Sequence, residues 1–223
     1  MIVGLKWKLI LAILIFVLPI FVQMLYWKVY SGNWLLFTYG ARERFFFNDP
    51  QIANLLFSFR KGWFIYTPIM AFILIGIPYL KKSANSLFWF LILFFSLNVY
   101  ILSSWWDWGF GGSFGCRAII QHYAFFVFGL ASFVSLVFSL FKNRIILNSV
   151  IRISICGLFT YLIVLNYNLS WKYKYSIVHF NGMTKEAFMY ILTKGELSPQ
   201  ERIELNKLYK TPNLEEMLNG KRD

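Results

Sequence analysis

Residues 8–26 read KLILAILIFVLPIFVQMLY, and between Lys8 and Tyr26 the only polar side chain is Gln23. At about 1.5 Å of rise per helical residue, this stretch is long enough to cross a hydrocarbon core of about 30 Å. Lys6 and Lys8 ahead of it resemble the charged start of a signal peptide. No small-x-small cleavage site follows, however, and Gln23, Met24 and Leu25 lead directly into Tyr26 and Trp27, an interfacial aromatic pair. The segment is therefore expected to remain as a membrane helix.

The rest of the 223 residues follow the same pattern. Hydrophobic residues make up 58% of the chain and aromatics 21%, whereas charged residues reach only 14%, well short of the roughly 25% of a soluble domain. The apolar residues fall in unbroken runs, apolar on every side, which suits lipid better than a half-wetted surface. Further spans are expected at 63–80, 86–104, 119–141 and 145–165, with Pro68 and Pro78 bending or ending the first of these. The fold class that follows is an all-α integral membrane protein of about five transmembrane helices. It comprises a bundle over 1–166, an interfacial amphipathic helix, and a short soluble helical tail over 167–223.

Cations in the short loops give the bundle a direction. A cytoplasmic amino terminus places Lys6, Lys8, the Lys81-Lys82 turn and the 142–144 turn on the inside and the tail on the outside, although the 27–62 loop then carries Lys28, Arg42, Arg44, Arg60 and Lys61 outward. In that loop Asp49-Pro50 reads as a helix cap followed by proline at the first position. Ile52, Leu55, Leu56 and Phe59 then share one face, and Gln51, Asn54 and Ser58 the other, as in a helix lying in the interface. The tail holds seven of the ten acidic residues. Caps predict helices there at 184–194, 199–210 and 212–219, the middle one opened by the capping box of Ser198 and Glu201.

Chemistry-bearing residues are few. The net charge of +12 would suit nucleic acid, but the cations flank apolar runs and no nucleic-acid motif accompanies them, so anionic head groups are the expected partners. The stretch 105–117, WWDWGFGGSFGCR, is the most unusual in the chain. Its glycines permit positive backbone angles, and its N–H groups are able to cradle an anion; a compact aromatic turn at the lipid surface is the structural alternative. Arg117, Arg60 and Lys61 are candidate contacts for a lipid phosphate, or else ordinary snorkelling cations. Outside the tail the acids are Glu43, Asp49 and Asp107. Asp49 is accounted for as a cap, which leaves Asp107 and Glu43 as the candidate catalytic carboxylates. Asp107, wedged among three tryptophans, is costly to bury unless a cation, Arg117 in this reading, pairs with it; it would then serve as a base or as a structural ion pair. His122, His179, Cys116 and Cys156 have no partners at ligand spacing, so no metal or cofactor set emerges, and a divalent metal stays open. Arg152, inside the fifth span, is expected to turn toward the bundle or the cytoplasmic interface.

Several of these residues carry a family likeness. Pro19 to Gln23, Tyr26-Trp27-Lys28, Gly32, Tyr39 with Glu43 and Phe45, Pro50, the run LFSFRKGW over 56–63 ahead of Tyr66-Thr67-Pro68, and Trp105-Trp106 with Gly112-Ser113-Phe114-Gly115 and Arg117 resemble the second half of GT-C type membrane glycosyltransferase-like proteins of Bacteroidetes. Residues 179–188 are similar as well. The resemblance implies a multi-span protein of the bacterial inner membrane that handles polyprenyl-phosphate-linked sugars at the outer face. Sugar transfer of that kind calls for a carboxylate base and a cation to steady the departing lipid phosphate. In the family the acidic catalytic motif lies in the first half, to which nothing here corresponds. The resemblance thus implies a truncated or split relative that needs a separate chain for its acid. A non-catalytic accessory or assembly component of the membrane is the alternative.

Overall fold

The computed structural model describes residues 2–36, 38–39, 42–140 and 145–222, with side chains from Trp7 onward. The expected 142–144 turn and the Lys6 side chain lie outside the described residues. Among those described there are helices and no strand, and the chain divides into two compact units, Met1–Glu43 and Arg44–Asp223.

The first unit is built on α1, Ile2–Ser31, a single helix that carries Pro19 within it. Ser31 Oγ donates to the Trp27 carbonyl at 2.8 Å and Lys28 Nζ to the Gly32 carbonyl at 2.6 Å, which satisfies carbonyls freed where the helix stops.

In the second unit the order is α2 (Ile52–Phe57), α3 (Trp63–Tyr66), a 3₁₀ turn (Pro68–Phe72), α4 (Ile73–Ser83), α5 (Asn85–Ser104), α6 (Arg117–Ile120), α7 (Tyr123–Leu140), α8 (Ile145–Lys174), α9 (Lys185–Leu192), α10 (Pro199–Leu208) and α11 (Leu214–Leu218). Four helices among the described residues are long and apolar enough to cross a membrane: Trp7–Ser31, Asn85–Ser104, Tyr123–Leu140 and Ile145–Lys174. The expected span at 63–80 is instead three pieces. Thr67, with φ −135° and ψ 66°, leaves helical geometry ahead of Pro68, as the clash with a proline ring favours, whereas Pro78 is absorbed inside α4. The expected 119–141 span is also divided, into α6 and α7. The fifth span runs on to Lys174, well past its anticipated end at 165.

The bundle core gathers Leu55, Trp63, Ile73, Ile77, Leu91 and Phe126. The α4–α7 pair is the most extensive helix contact. It depends on two glycines: a Cβ built on Gly76 would fall on the Gly129 carbonyl oxygen, and one on Gly129 would meet Ile77 Cγ1 at 2.9 Å. Such close backbone approach through small residues is how helices associate where lipid removes the hydrophobic drive. Arg152 resolves its own cost by receiving Asn148 as a hydrogen-bond acceptor at 3.1 Å and resting over the Phe138 ring at 4.6 Å.

The tail has a second core of Leu169, Ile177, Val178, Met183, Phe188, Ile191 and Leu205, with Tyr66 from the bundle side packed into it. The last turns of α8 therefore belong to the tail. Two of the anticipated caps are made as read: Thr184 Oγ1 accepts from Ala187 N, and Ser198 and Glu201 form the reciprocal capping box. The third helix is capped by Asn213, whose side chain accepts from Glu215 N. The expected interfacial helix is only the six residues of α2. Gln51 holds its N-cap position without a side-chain bond, so Asp49 is not the cap; its Oδ2 accepts instead from Gln51 Nε2 at 3.0 Å and Arg222 Nη2 at 3.1 Å.

Candidate functional site: a buried arginine beside a basic cavity

The turn between α2 and α3 carries Arg60 and Lys61 inward, where both are buried. Gly62 permits this, because a Cβ there would meet the Ser58 backbone at 2.5 Å. Arg60 Nη2 donates to Asp107 Oδ1 at 3.2 Å, Nε donates to Asn181 Oδ1 at 3.1 Å, and the guanidinium lies over the Trp108 ring at 4.9 Å. Asp107 Oδ1 also accepts from Gly109 N at 3.2 Å, and its Oδ2 accepts from Gly111 N at 2.6 Å. The N–H groups of the glycine loop therefore cradle an anion as anticipated, but the anion is the loop's own carboxylate. Gly111 and Gly115 take the positive φ values of 63° and 54° that this winding requires.

Asp107 thus pairs with Arg60 and not with Arg117. This buried carboxylate takes three donors, Arg60 Nη2 and the N–H groups of Gly109 and Gly111, and so anchors the loop. Lys61 Nζ donates to the Ser113 carbonyl and to Ser113 Oγ, the latter at 3.2 Å, and so holds the other side of the same loop. Burial, followed by the charge of Arg60, pulls Lys61 down to about 8, with Asp107 opposing. Burial also lowers Arg60, again against Asp107. Arg117 opens α6 as an exposed cation close enough to Lys61 to depress it further. Glu43 is partly buried in the first unit.

One nitrogen of Arg60 is unsatisfied: Nη1 is buried and has no hydrogen-bond partner. Arg60 lines a cavity of about 530 Å³ that Trp108, Met183, Thr211, Glu216, Lys210 and Lys221 also line. Neither lysine ammonium has a hydrogen bond or ion pair among the described residues. Glu216 Oε1 accepts from Asn213 Nδ2 at 3.2 Å. The wall is thus cationic, with apolar patches from Trp108, Met183 and Met217 and a single acid.

The C-terminal segment closes this region through Arg222, which is completely buried. Its Nη1 donates to the carbonyls of Ser103, Ser104 and Trp105 at 3.1–3.2 Å, covering the exposed carbonyl end of α5. Its own carbonyl accepts from Trp108 Nε1 at 2.7 Å. His179, on the far side of Asn181, accepts from Asn181 N and Gly182 N through Nδ1; burial lowers it and the charge of Lys61 lowers it further.

Sequence alone singled out Arg60, Lys61, Asp107 and Arg117 and missed Asn181, Lys210, Glu216, Lys221 and Arg222. In one dimension these tail residues are indistinguishable from solvated charges at helix ends. Among the described residues no three His, Cys, Asp or Glu gather as a metal cluster, and both cysteines are free, Cys116 buried and Cys156 exposed. Comparisons with protein-family models, curated proteins and solved structures give no match.

Proposed function

We propose that this protein is a multi-pass membrane component that binds a phosphate-bearing lipid, with Arg60 as the buried contact and Lys210 and Lys221 at the rim. The observation carrying this reading is the unpartnered Nη1 of Arg60 beside a cavity whose two lysines are also unpaired. A buried guanidinium nitrogen with no acceptor costs several kcal/mol, on the order of a lost charged hydrogen bond or more, and an anionic oxygen removes that cost. Guanidinium is also the group best shaped to grip phosphate.

The lipid that the family likeness suggests is polyprenyl phosphate, taken at the outer face of the bacterial inner membrane, with the amino terminus cytoplasmic and the tail periplasmic. Arg117, exposed and close to Lys61, is placed here as a secondary head-group contact, and Lys61 as a support for the glycine loop. Asp107 is consumed by Arg60 and two backbone donors, so the base for sugar transfer is assigned to a separate chain. The same fact favours the second reading, an accessory component with no chemistry of its own.

Purified protein in vesicles carrying polyprenyl phosphate should bind it, and the Lys210→Ala/Lys221→Ala double variant should bind at least tenfold more weakly. Both lysines are exposed, so the variant is expected to fold. Binding that is absent, or unchanged in the variant, removes this reading. Sugar transfer by the purified chain alone would eliminate the accessory reading and the assigned partner together.

A further inference from the structure

We infer that His179 is a pH-sensitive latch on the basic cavity: as the neutral ring it holds the 179–182 turn that sets Arg60 and Lys210 in place, and on protonation it releases that turn. Its consequence for a ligand rests on the anion-binding reading above, whereas the latch itself does not.

The latch is a single nitrogen. Nδ1 of His179 accepts from Asn181 N at 3.1 Å and from Gly182 N at 2.7 Å. It therefore carries the lone pair, with the ring proton on Nε2. An imidazolium has an N–H at both nitrogens, so protonation takes the acceptor away from the backbone donors of two buried residues and sets a third N–H against them. The ring is stacked on Phe180 at 4.5 Å and packed on Tyr209 at 4.7 Å, and a Cβ on Gly182 would meet Nδ1 at 3.0 Å and Thr211 Cγ2 at 3.1 Å. Ring and turn thus have little room to find a substitute.

The turn leads to the cavity in two directions. Asn181 Oδ1 accepts from Arg60 Nε at 3.1 Å, and the Gly182 carbonyl accepts from Lys210 N at 2.9 Å. Met183 and Thr184, next along the chain, line the cavity together with Arg60 and Lys210, and Thr184 Oγ1 donates to the Leu208 carbonyl at 2.9 Å. His179 acts on both cations through Asn181 and Gly182, as a positioning residue.

The surroundings oppose a charged ring. Lys61 acts on it from the turn before α3. Tyr173 and Lys174 at the end of α8 and Tyr209 beyond α10 share with it a second cavity of about 450 Å³, which no carboxylate lines among the described residues. Arg202 of α10 acts in turn on Tyr209, Lys210 follows it, and Arg60 with its partner Asp107 stands beyond Asn181. Burial, then the charge of Lys61, holds His179 below its ordinary value of 6.5. For a base lowered in the folded state, the stability is complete above the ordinary value and is lost as the pH falls below it toward the folded one.

The test uses the purified full chain in detergent, wild type beside His179→Asn. An Asn side chain accepts from N–H groups a few residues on, as in an Asx turn, and does not titrate. Amide exchange is read by mass spectrometry at pH 7.5 and pH 5 and corrected for the chemical exchange rate at each. Protection of 179–184 and 105–117 should fall about tenfold in the wild type between the two and stay level in His179→Asn. Lys61, Asp107, Glu216 and His122 are common to both chains, so their titration cancels. Protection that is level in the wild type, or that falls equally in His179→Asn, overturns the latch. His179→Phe, which has no acceptor, should lack the protection at both pH values; full protection in it also overturns the latch. Binding to vesicles carrying polyprenyl phosphate, followed in parallel, should weaken at least fivefold more in the wild type than in His179→Asn, the ionisation of the lipid being the same for both. Equal weakening in the two chains removes the control over the site. No binding by either chain at either pH removes the anion-binding reading and leaves the latch to stand on exchange alone.

Discussion

The bundle and the tail of the second unit are held by different means. Among α2 to α6, no helix has a side-chain hydrogen bond at its N-cap, and the bundle coheres through apolar packing and the Gly76–Gly129 approach of α4 to α7. In the tail, α9, α10 and α11 each begin with a side chain accepting from a backbone N–H, supplied by Thr184, Ser198 and Asn213. Short helices in water must satisfy their terminal donors locally and gain little from packing alone. A long apolar helix derives its stability from its length and from its neighbours. The basic site sits where these regimes meet, since Arg60 ties Asp107 and Trp108 of the bundle's loop to Asn181 and Met217 of the tail.

That contrast can be broken most severely at Arg60. Arg60→Met leaves Asp107 buried without its cation, a loss of about 3–5 kcal/mol for a severed buried pair. Amide exchange followed by mass spectrometry should then rise in the 105–117 loop and in the 179–184 segment together. Adding Asp107→Asn should recover a part of the stability; no recovery would mean that the pair is not the link between the two regions.

A probe of the bundle alone is Gly76→Ala. The new methyl meets a backbone carbonyl that cannot swing aside, so about 1–3 kcal/mol should be lost as overpacking strain. Exchange should increase along 73–83 and 123–140 while the tail helices stay protected. Uniform loosening of the tail would refute the separation.

The smallest effect belongs to the tail. Ser198→Ala removes one half of the capping box and should cost about 1 kcal/mol. Faster exchange in 199–208, with the bundle unchanged, is the expected signature. A thermal shift of the bundle transition equal to that of the tail would show that the two cores melt as one.

How much was legible in the sequence differs along the same line. The capping box of Ser198 and Glu201 was readable because a cap is a local bargain between residues three apart. The 86–104 span was readable to within a residue of Asn85–Ser104, because an apolar run of that length has few other solutions. Asp49 reads as a cap in the sequence, yet its Oδ2 accepts from Gln51 Nε2 and from Arg222 Nη2, a partner far along the chain. Asp107 was likewise matched to the cation nearest in sequence, Arg117, when the α2–α3 turn brings Arg60 to it instead. Pro68 and Pro78 look alike on paper, yet one breaks the chain's course and the other is absorbed within α4.

By itself, then, the sequence determined that this is an all-helical chain with several helices long and apolar enough to span a membrane, followed by a capped helical tail. Those features depend on hydrophobic length and on contacts within one turn, both written in consecutive residues. Only the tertiary structure decided which cation meets Asp107, and that Lys210 and Lys221 share a cavity with Arg60. Buried charge is tolerated only where its partners arrive from elsewhere in the fold, and a linear order of residues does not record their arrival.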